Sequence, residues 1–136
     1  MGLILKTGYV VIVKLENNIG SQQGGIRPAV VVSNNVGNTY SNTIKVIPGT
    51  TKRLTNNQPT HAHFTTEELP FLKSDTTFES ECSWVVNKFQ VLKVIGELND
   101  DQLERIAEAM AYDTPLIYKA FQNGIQNNQM FKRISV

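Results

Sequence analysis

The sequence predicts a small, mainly β domain that ends in helices, and three observations predict it. Short runs of β-branched and aromatic residues follow one another from Tyr9 to Ile95, separated by Gly, Asn and Pro turns. Apolar residues at helical spacing come only after Asn99. Strands do not alternate with helical stretches, which argues against a doubly wound nucleotide-binding sheet. At 136 residues, 40% of them apolar, the chain can bury one core and not two. A small curled sheet or barrel with helices at one end satisfies all of this.

The elements follow in order. Tyr9-Val10-Val11-Ile12-Val13-Lys14-Leu15 reads as a buried strand. Gly20 to Gly25 is predicted as a loop. Pro28 to Ser33 is the second strand, with its proline at the start, where a missing N–H costs least. Asn34-Asn35-Val36-Gly37-Asn38 is predicted as a turn, because Asn and Gly tolerate positive φ. Thr43 to Ile47 is the third strand, expected to stop at Pro48-Gly49, and residues 52–60 form a polar loop. His61-Ala62-His63-Phe64 alternates like a half-buried strand, and further strand signal lies at Cys82–Val86 and Phe89–Ile95. Leu103, Ile106, Ala107, Met110 and Ala111 form one helical stripe. Asn99 and Gln102 make a capping box before it, and Asp100 and Asp101 suit the helix dipole. A second helix is predicted to start at Thr114-Pro115 and end at Gly124, followed by a polar tail.

No apolar run reaches the ~18 residues that a membrane span needs. Residues 1–5 are too short for a signal peptide's apolar region, so a soluble, cytoplasmic protein without a membrane partner is expected. The single cysteine, Cys82, excludes a disulfide-stapled scaffold. The net charge of +1 hides an asymmetry: residues 1–66 carry +5, residues 67–113 carry −7 and residues 114–136 carry +3. The N-terminal half is therefore suited to meet an anion.

Two clusters carry candidate chemistry. In Gly20-Ser21-Gln22-Gln23-Gly24-Gly25-Ile26-Arg27-Pro28, a guanidinium stands between a glycine loop and a strand, which suits a phosphate site; the alternative is a surface hairpin with a solvated arginine. The loop lacks the Gly-Lys-Ser/Thr ending of a Walker A motif. In Pro48-Gly49-Thr50-Thr51-Lys52-Arg53, two hydroxyls and two cations stand together at a strand end, and both can hold phosphate oxygens.

Taken in order, these clusters resemble the MazF/PemK toxins of bacterial toxin–antitoxin systems. Gly20 to Val32 is similar to that family's signature loop and strand, and the likeness continues through Asn34–Thr43, Val46–Thr50, Pro59–His61 and Ile95–Leu98. It covers roughly residues 6–112. The resemblance implies an SH3-like β-barrel of the MazF/PemK/CcdB type with a C-terminal helix, forming a homodimer. Residues 1–112 would be the toxin domain, and residues 113–136 a helix and tail that extend it. It implies a sequence-specific, metal-independent endoribonuclease that uses no cofactor. Its substrate would be single-stranded RNA, chiefly messenger RNA, and its products would carry 2′,3′-cyclic phosphate and 5′-hydroxyl ends. A cognate antitoxin would block its groove. Arg27 matches the family's catalytic arginine and Thr50 its catalytic threonine. Gln23 and Gly24 match the substrate-gating loop, and Glu81 falls near an acidic position used in some members.

The reaction can be set against these residues. RNA supplies its own nucleophile, the 2′-hydroxyl, so the protein must move protons and neutralise the phosphorane. Arg27 suits the second task through its two-pronged fork, but it is a poor base. Thr50 can donate a hydrogen bond to a phosphate oxygen and fix in-line geometry. Ser21, Gln22, Gln23, Gly24, Gly25, Pro28, Tyr40, Thr51, Lys52, Arg53 and Glu81 are the candidates for holding RNA. Many relatives carry glutamate where this chain has Gln22, and an amide cannot accept the proton. His61, His63 and Glu81 are left as candidate bases, or the base is weak. Pro48-Gly49 directly before Thr50 is a second departure.

A different reading is a non-catalytic binder on the same fold, either a gyrase poison or an inactive RNA-binding regulator. Arg27 and Thr50 speak against it, and Gln22 with Pro48-Gly49 for it. No metal is expected. His61 and His63 share a strand face, but zinc needs further ligands and the chain has no third histidine. Cys82 reads as a small buried hydrophobe and Trp84 as core or dimer contact. The loop over residues 52–60 is where cleavage specificity is expected to lie.

Overall fold

The computed structural model describes residues 3–15, 25–52 and 58–122. Seven strands form one antiparallel sheet: β1 (Tyr9–Leu15), β2 (Gly25–Val31), β3 (Thr43–Thr50), β4 (His61–Phe64), β5 (Thr76–Glu79), β6 (Trp84–Asn87) and β7 (Val91–Glu97). Three helices accompany them: α1 (Asn35–Tyr40), α2 (Asp100–Asp113) and α3 (Leu116–Gln122). Single 3-10 turns at Ser80–Cys82 and Lys88–Gln90 flank β6. The strand order is β4-β5-β3-β2-β1-β7, with β6 also on β3. The mainly β fold with C-terminal helices is the one expected. The sheet curls, but among the described residues its end strands β4 and β7 do not pair, so the path stays open rather than closing into a barrel.

β3 explains that shape. One edge pairs with β2 through Val46, Ile47 and Pro48. The other edge pairs first with β6, from Thr43 to Val46, and then with β5, at Gly49 and Thr50. Pro48 sits at the changeover, where β3 has left β6 and not yet met β5, so its missing N–H breaks no ladder bond on that edge. The strand thus runs through Pro48-Gly49 instead of stopping there. Gly49 makes the β5 junction possible. A Cβ on it would lie 2.5 Å from Thr76 Cγ2 and 2.9 Å from the Phe78 ring.

The core has two halves, one on each face of the central strands. Val10, Val30, Ile47, Phe64, Phe78 and Ile106 belong to the half beneath α2. Val11, Val13, Ala29, Val31, Val46 and Val86 belong to the other. Burial on both faces is why Tyr9–Leu15 reads as a continuous apolar run. Phe64 and Phe78 meet edge to face, with ring centroids 5.9 Å apart, an arrangement worth ~1 kcal/mol beyond area burial.

Other expectations changed in detail. Asn34–Asn38 is not a turn. The Asn34 side chain accepts from the Gly37 N–H and caps α1 instead. Gly25 and not Pro28 begins β2. β5 carried no sequence expectation. α2 starts as predicted, with both halves of the Asn99–Gln102 capping box formed at 2.9 Å. Its buried residues are Ile106 and Ala109, with Leu103 and Met110 packed beside them, while Ala107 faces solvent. The inward face is rotated from the expected stripe by about one residue. Gly124 and the polar tail lie outside the described residues, as does most of the predicted Gly20–Gly25 loop. No described helix is long and apolar enough to cross a membrane.

Candidate active site

Strand alternation puts Arg27 and Thr50 on the same face. Arg27, Ala29 and Val31 share one side of β2, and Val46, Pro48 and Thr50 share one side of β3. The register Ala29 to Pro48 and Val31 to Val46 joins those sides. Ala29, Val31 and Val46 are buried in the second core half, so Arg27 and Thr50 form the polar end of a face that is otherwise apolar. The half-buried Arg27 donates from Nη1 to the Gly49 carbonyl at 3.4 Å. Thr50 is buried, and its Oγ1 accepts the Lys52 backbone N–H at 3.1 Å. That bond occupies an oxygen lone pair and leaves the hydroxyl proton to donate elsewhere.

Arg27, Pro28, Gly49, Thr50, Thr51 and Lys52 line a cleft of about 380 Å³, together with Gly25 and Ile26. A second groove of about 460 Å³ shares Ile26, Arg27, Pro28 and Thr51 with it. That groove adds apolar walls from Phe71, Leu92 and Ile95, and cations from Lys73 and Lys93. Apolar surface for bases beside cations for phosphates is the makeup of a single-strand binder.

β5 supplies the neighbouring chemistry. Thr77 pairs with Thr50 on one side and His63 on the other. His63 Nδ1 lies 2.8 Å from Thr77 Oγ1. Next along, His61 pairs with Glu79. His61 Nε2 lies 2.6 Å from Glu81 Oε2 and 3.9 Å from Glu79 Oε2. Burial raises the Glu79 carboxyl, and the Glu81 charge adds to it, against His61 and Arg27. Burial opposes ionisation of Glu81 as well. Hydrogen bonds from His61, its own backbone and Thr60 still hold it below the ordinary carboxylate range. The Cys82 thiol is pushed up to about 11, first by burial and then by Glu79, Glu81 and Asp113. Arg27 acts in the opposite sense on both Glu79 and Cys82, so its charge reaches this corner from the cleft.

The structure therefore brings together Gly25, Arg27, Pro28, Thr50, Thr51 and Lys52, and sets Glu81 in the adjoining cluster. Tyr40 is exposed at the end of α1, beside the start of β3. It is separated from Thr50 by the length of that strand, about 23 Å at ~3.3 Å per residue. Ser21, Gln22, Gln23, Gly24 and Arg53 lie outside the described residues. Trp84 packs against the second core half. Thr77 and Glu79 were missed by sequence reasoning. The alternation in Thr76-Thr77-Phe78-Glu79 was the available signal, and four residues make it a weak one.

Cations and a hydroxyl donor at the polar end of a small antiparallel sheet are groups suited to an anion such as phosphate. Comparison with known proteins narrows this. Residues 6–112 match the model of the PemK-like, MazF-like toxins of type II toxin–antitoxin systems, and the chain belongs to that family. Endoribonuclease EndoA of Bacillus subtilis (strain 168) is 30% identical over 115 residues, spanning 85% of this chain and 98% of EndoA. Two solved structures share the fold. MazF of Deinococcus radiodurans has a TM-score of 0.68 at 16% identity, covering 81% of this chain and 96% of its own. An endoribonuclease in complex with its cognate antitoxin, from mycobacterial species, has a TM-score of 0.64 at 20% identity, covering 82% and 96%.

Proposed function

We propose that this toxin is an endoribonuclease that cleaves single-stranded messenger RNA in the cytoplasm, as a homodimer, without a metal or cofactor, and is held inactive by a cognate antitoxin. The observation that carries the reading is the shared cleft of Arg27 and Thr50. A guanidinium and a hydroxyl whose acceptor side is already occupied face one space beside Lys52. The endoribonuclease named among the relatives and the antitoxin-bound fold neighbour support it.

The reaction follows from RNA's own chemistry. The 2′-oxygen attacks the adjacent phosphorus, the bond from phosphorus to the 5′-oxygen breaks, and a 2′,3′-cyclic phosphate and a 5′-hydroxyl result. One proton leaves the 2′-hydroxyl and one reaches the departing 5′-oxygen. Arg27 binds two phosphate oxygens and offsets the charge that builds on the phosphorane. Thr50 donates to a phosphate oxygen and holds the in-line alignment. Arg27 does not serve as the base. The proton acceptor is drawn from the β4–β5 corner, where His63 reaches Thr50 through Thr77, and His61 is bonded to Glu81. Bases lie along the apolar groove, and Lys73 and Lys93 hold flanking phosphates.

The test is the chemistry of the ends. Replacing the nucleotide at the cut with its 2′-deoxy form is expected to abolish cleavage there and leave other cuts intact. New ends should carry cyclic phosphate. Cleavage of the 2′-deoxy substrate would refute attack by the 2′-hydroxyl.

A further inference from the structure

We propose that His61, Glu79 and Glu81 form a site for a divalent transition cation, zinc above all, and that its occupation slows the nuclease. The proposal's second half rests on the reading above, and its first half does not. Among the described residues, these three each offer one ligand atom, and the three atoms lie within 4.8 Å of one another. A tetrahedral zinc ion with bonds of ~2.05 Å holds its ligand atoms about 3.3 Å apart. The two separations from His61 Nε2, 2.6 Å to Glu81 and 3.9 Å to Glu79, bracket that value. Small side-chain rotations therefore close the site, with no movement of the backbone.

The backbone already fixes the ligands. His61 and Glu79 are direct partners across the β4–β5 ladder. Glu81 sits in the 3-10 turn that ends β5, and the Ser80 N–H tethers that turn to the Thr60 carbonyl at 3.0 Å. His61 has only 10% of its side chain exposed, so its ring is held in place by packing. Two carboxylates converge on one imidazole here, only Glu81 is hydrogen-bonded to it, and a cation relieves the repulsion between them. One imidazole with two carboxylates and an open fourth position suits zinc. Magnesium and calcium demand more oxygen ligands than the corner offers. His63 is not in the ligand set: among the described residues, the converging ligand atoms belong to His61, Glu79 and Glu81. An ion at this site takes up the His61 and Glu81 atoms that the reading above leaves available as proton acceptors.

The experiment is equilibrium dialysis of chelator-stripped full-length protein against Zn²⁺, with Mg²⁺ as the control. One Zn²⁺ per chain is expected, with no Mg²⁺ bound. Glu79→Gln is isosteric and removes a repelling charge, so it folds, and it should weaken zinc at least tenfold, as should His61→Ala. Each protein's own metal-free cleavage rate is the reference for inhibition. Zn²⁺ should slow the wild type and spare Glu79→Gln. No zinc uptake by wild type, or equal uptake by wild type and both variants, overturns the site. Equal inhibition of wild type and Glu79→Gln overturns the regulation. If the wild type cuts no RNA at all, the nuclease reading fails, and the dialysis still decides the site.

Discussion

At Cys82, burial and the nearby Glu79, Glu81 and Asp113 carboxylates raise the thiol to about 11, so only about one thiol in a thousand is ionised at about pH 8. Alkylation of the native protein is expected to be far slower than that of the unfolded chain. Glu79→Gln should speed it, since one raising charge is gone; an unchanged native rate would contradict that electrostatic coupling. Glu79 itself has a raised folded-state pKa. Its charged form therefore opposes folding above that pKa, and the penalty vanishes below the unfolded carboxylate value of ~4.3. Glu79→Gln should accordingly raise the melting temperature at neutral pH, with the gain disappearing below about pH 4. Glu81 behaves oppositely: its lowered pKa contributes stability above the unfolded value, lost as pH falls through the folded one. Arg27 and Thr50 were legible in the sequence because each lies in a contiguous motif. Glu79 was not, because its chemistry arises only when β5 lies between β3 and β4.

Among the elements, β3 and α2 carry the clearest expectations. Gly49→Ala would push a methyl into Thr76 and Phe78. It should cost about 1–3 kcal/mol in chemical denaturation, and it should reduce cleavage by shifting Thr50, which follows directly. A fully stable Gly49→Ala protein would show that the β3–β5 junction is looser than described. Asn99→Ala should cost ~1 kcal/mol through the lost capping box. Tyr9–Leu15 and the start of α2 were readable because continuous burial and a reciprocal cap are local signals. The ends of β3 were not, since Pro48-Gly49 ordinarily punctuates a strand, and only the change of partner from β6 to β5 makes it tolerable here. Asn34 likewise favours turns and helix caps equally, and the choice falls to α1's own hydrogen bonds.

Over the whole molecule, charge is only partly segregated along the chain. The +5 of the first 66 residues includes Arg27 and Lys52 at the cleft. The acidic stretch after it supplies Glu79 and Glu81, but also Lys73 and Lys93 on the groove. If those four cations each meet a phosphate, RNA affinity should fall with a log–log salt slope of about −3, roughly fiftyfold between 50 and 200 mM salt. A salt-independent affinity would place the RNA elsewhere. The family match ends at residue 112, so α3 lies beyond the matched residues. The fold class was legible at this scale because strand runs precede helical spacing. The open sheet path was not, because closure depends on which edges meet. On the proposed mechanism, Arg27 and Thr50 cleave RNA unaided by metal. Long single-stranded RNA incubated with excess chelator tests it most directly, comparing wild type with folded Arg27→Ala. Discrete cuts by the wild type, reduced at least a hundredfold (about 2.7 kcal/mol) in the variant, are expected. Equal cutting by both proteins, or none by either, would contradict it.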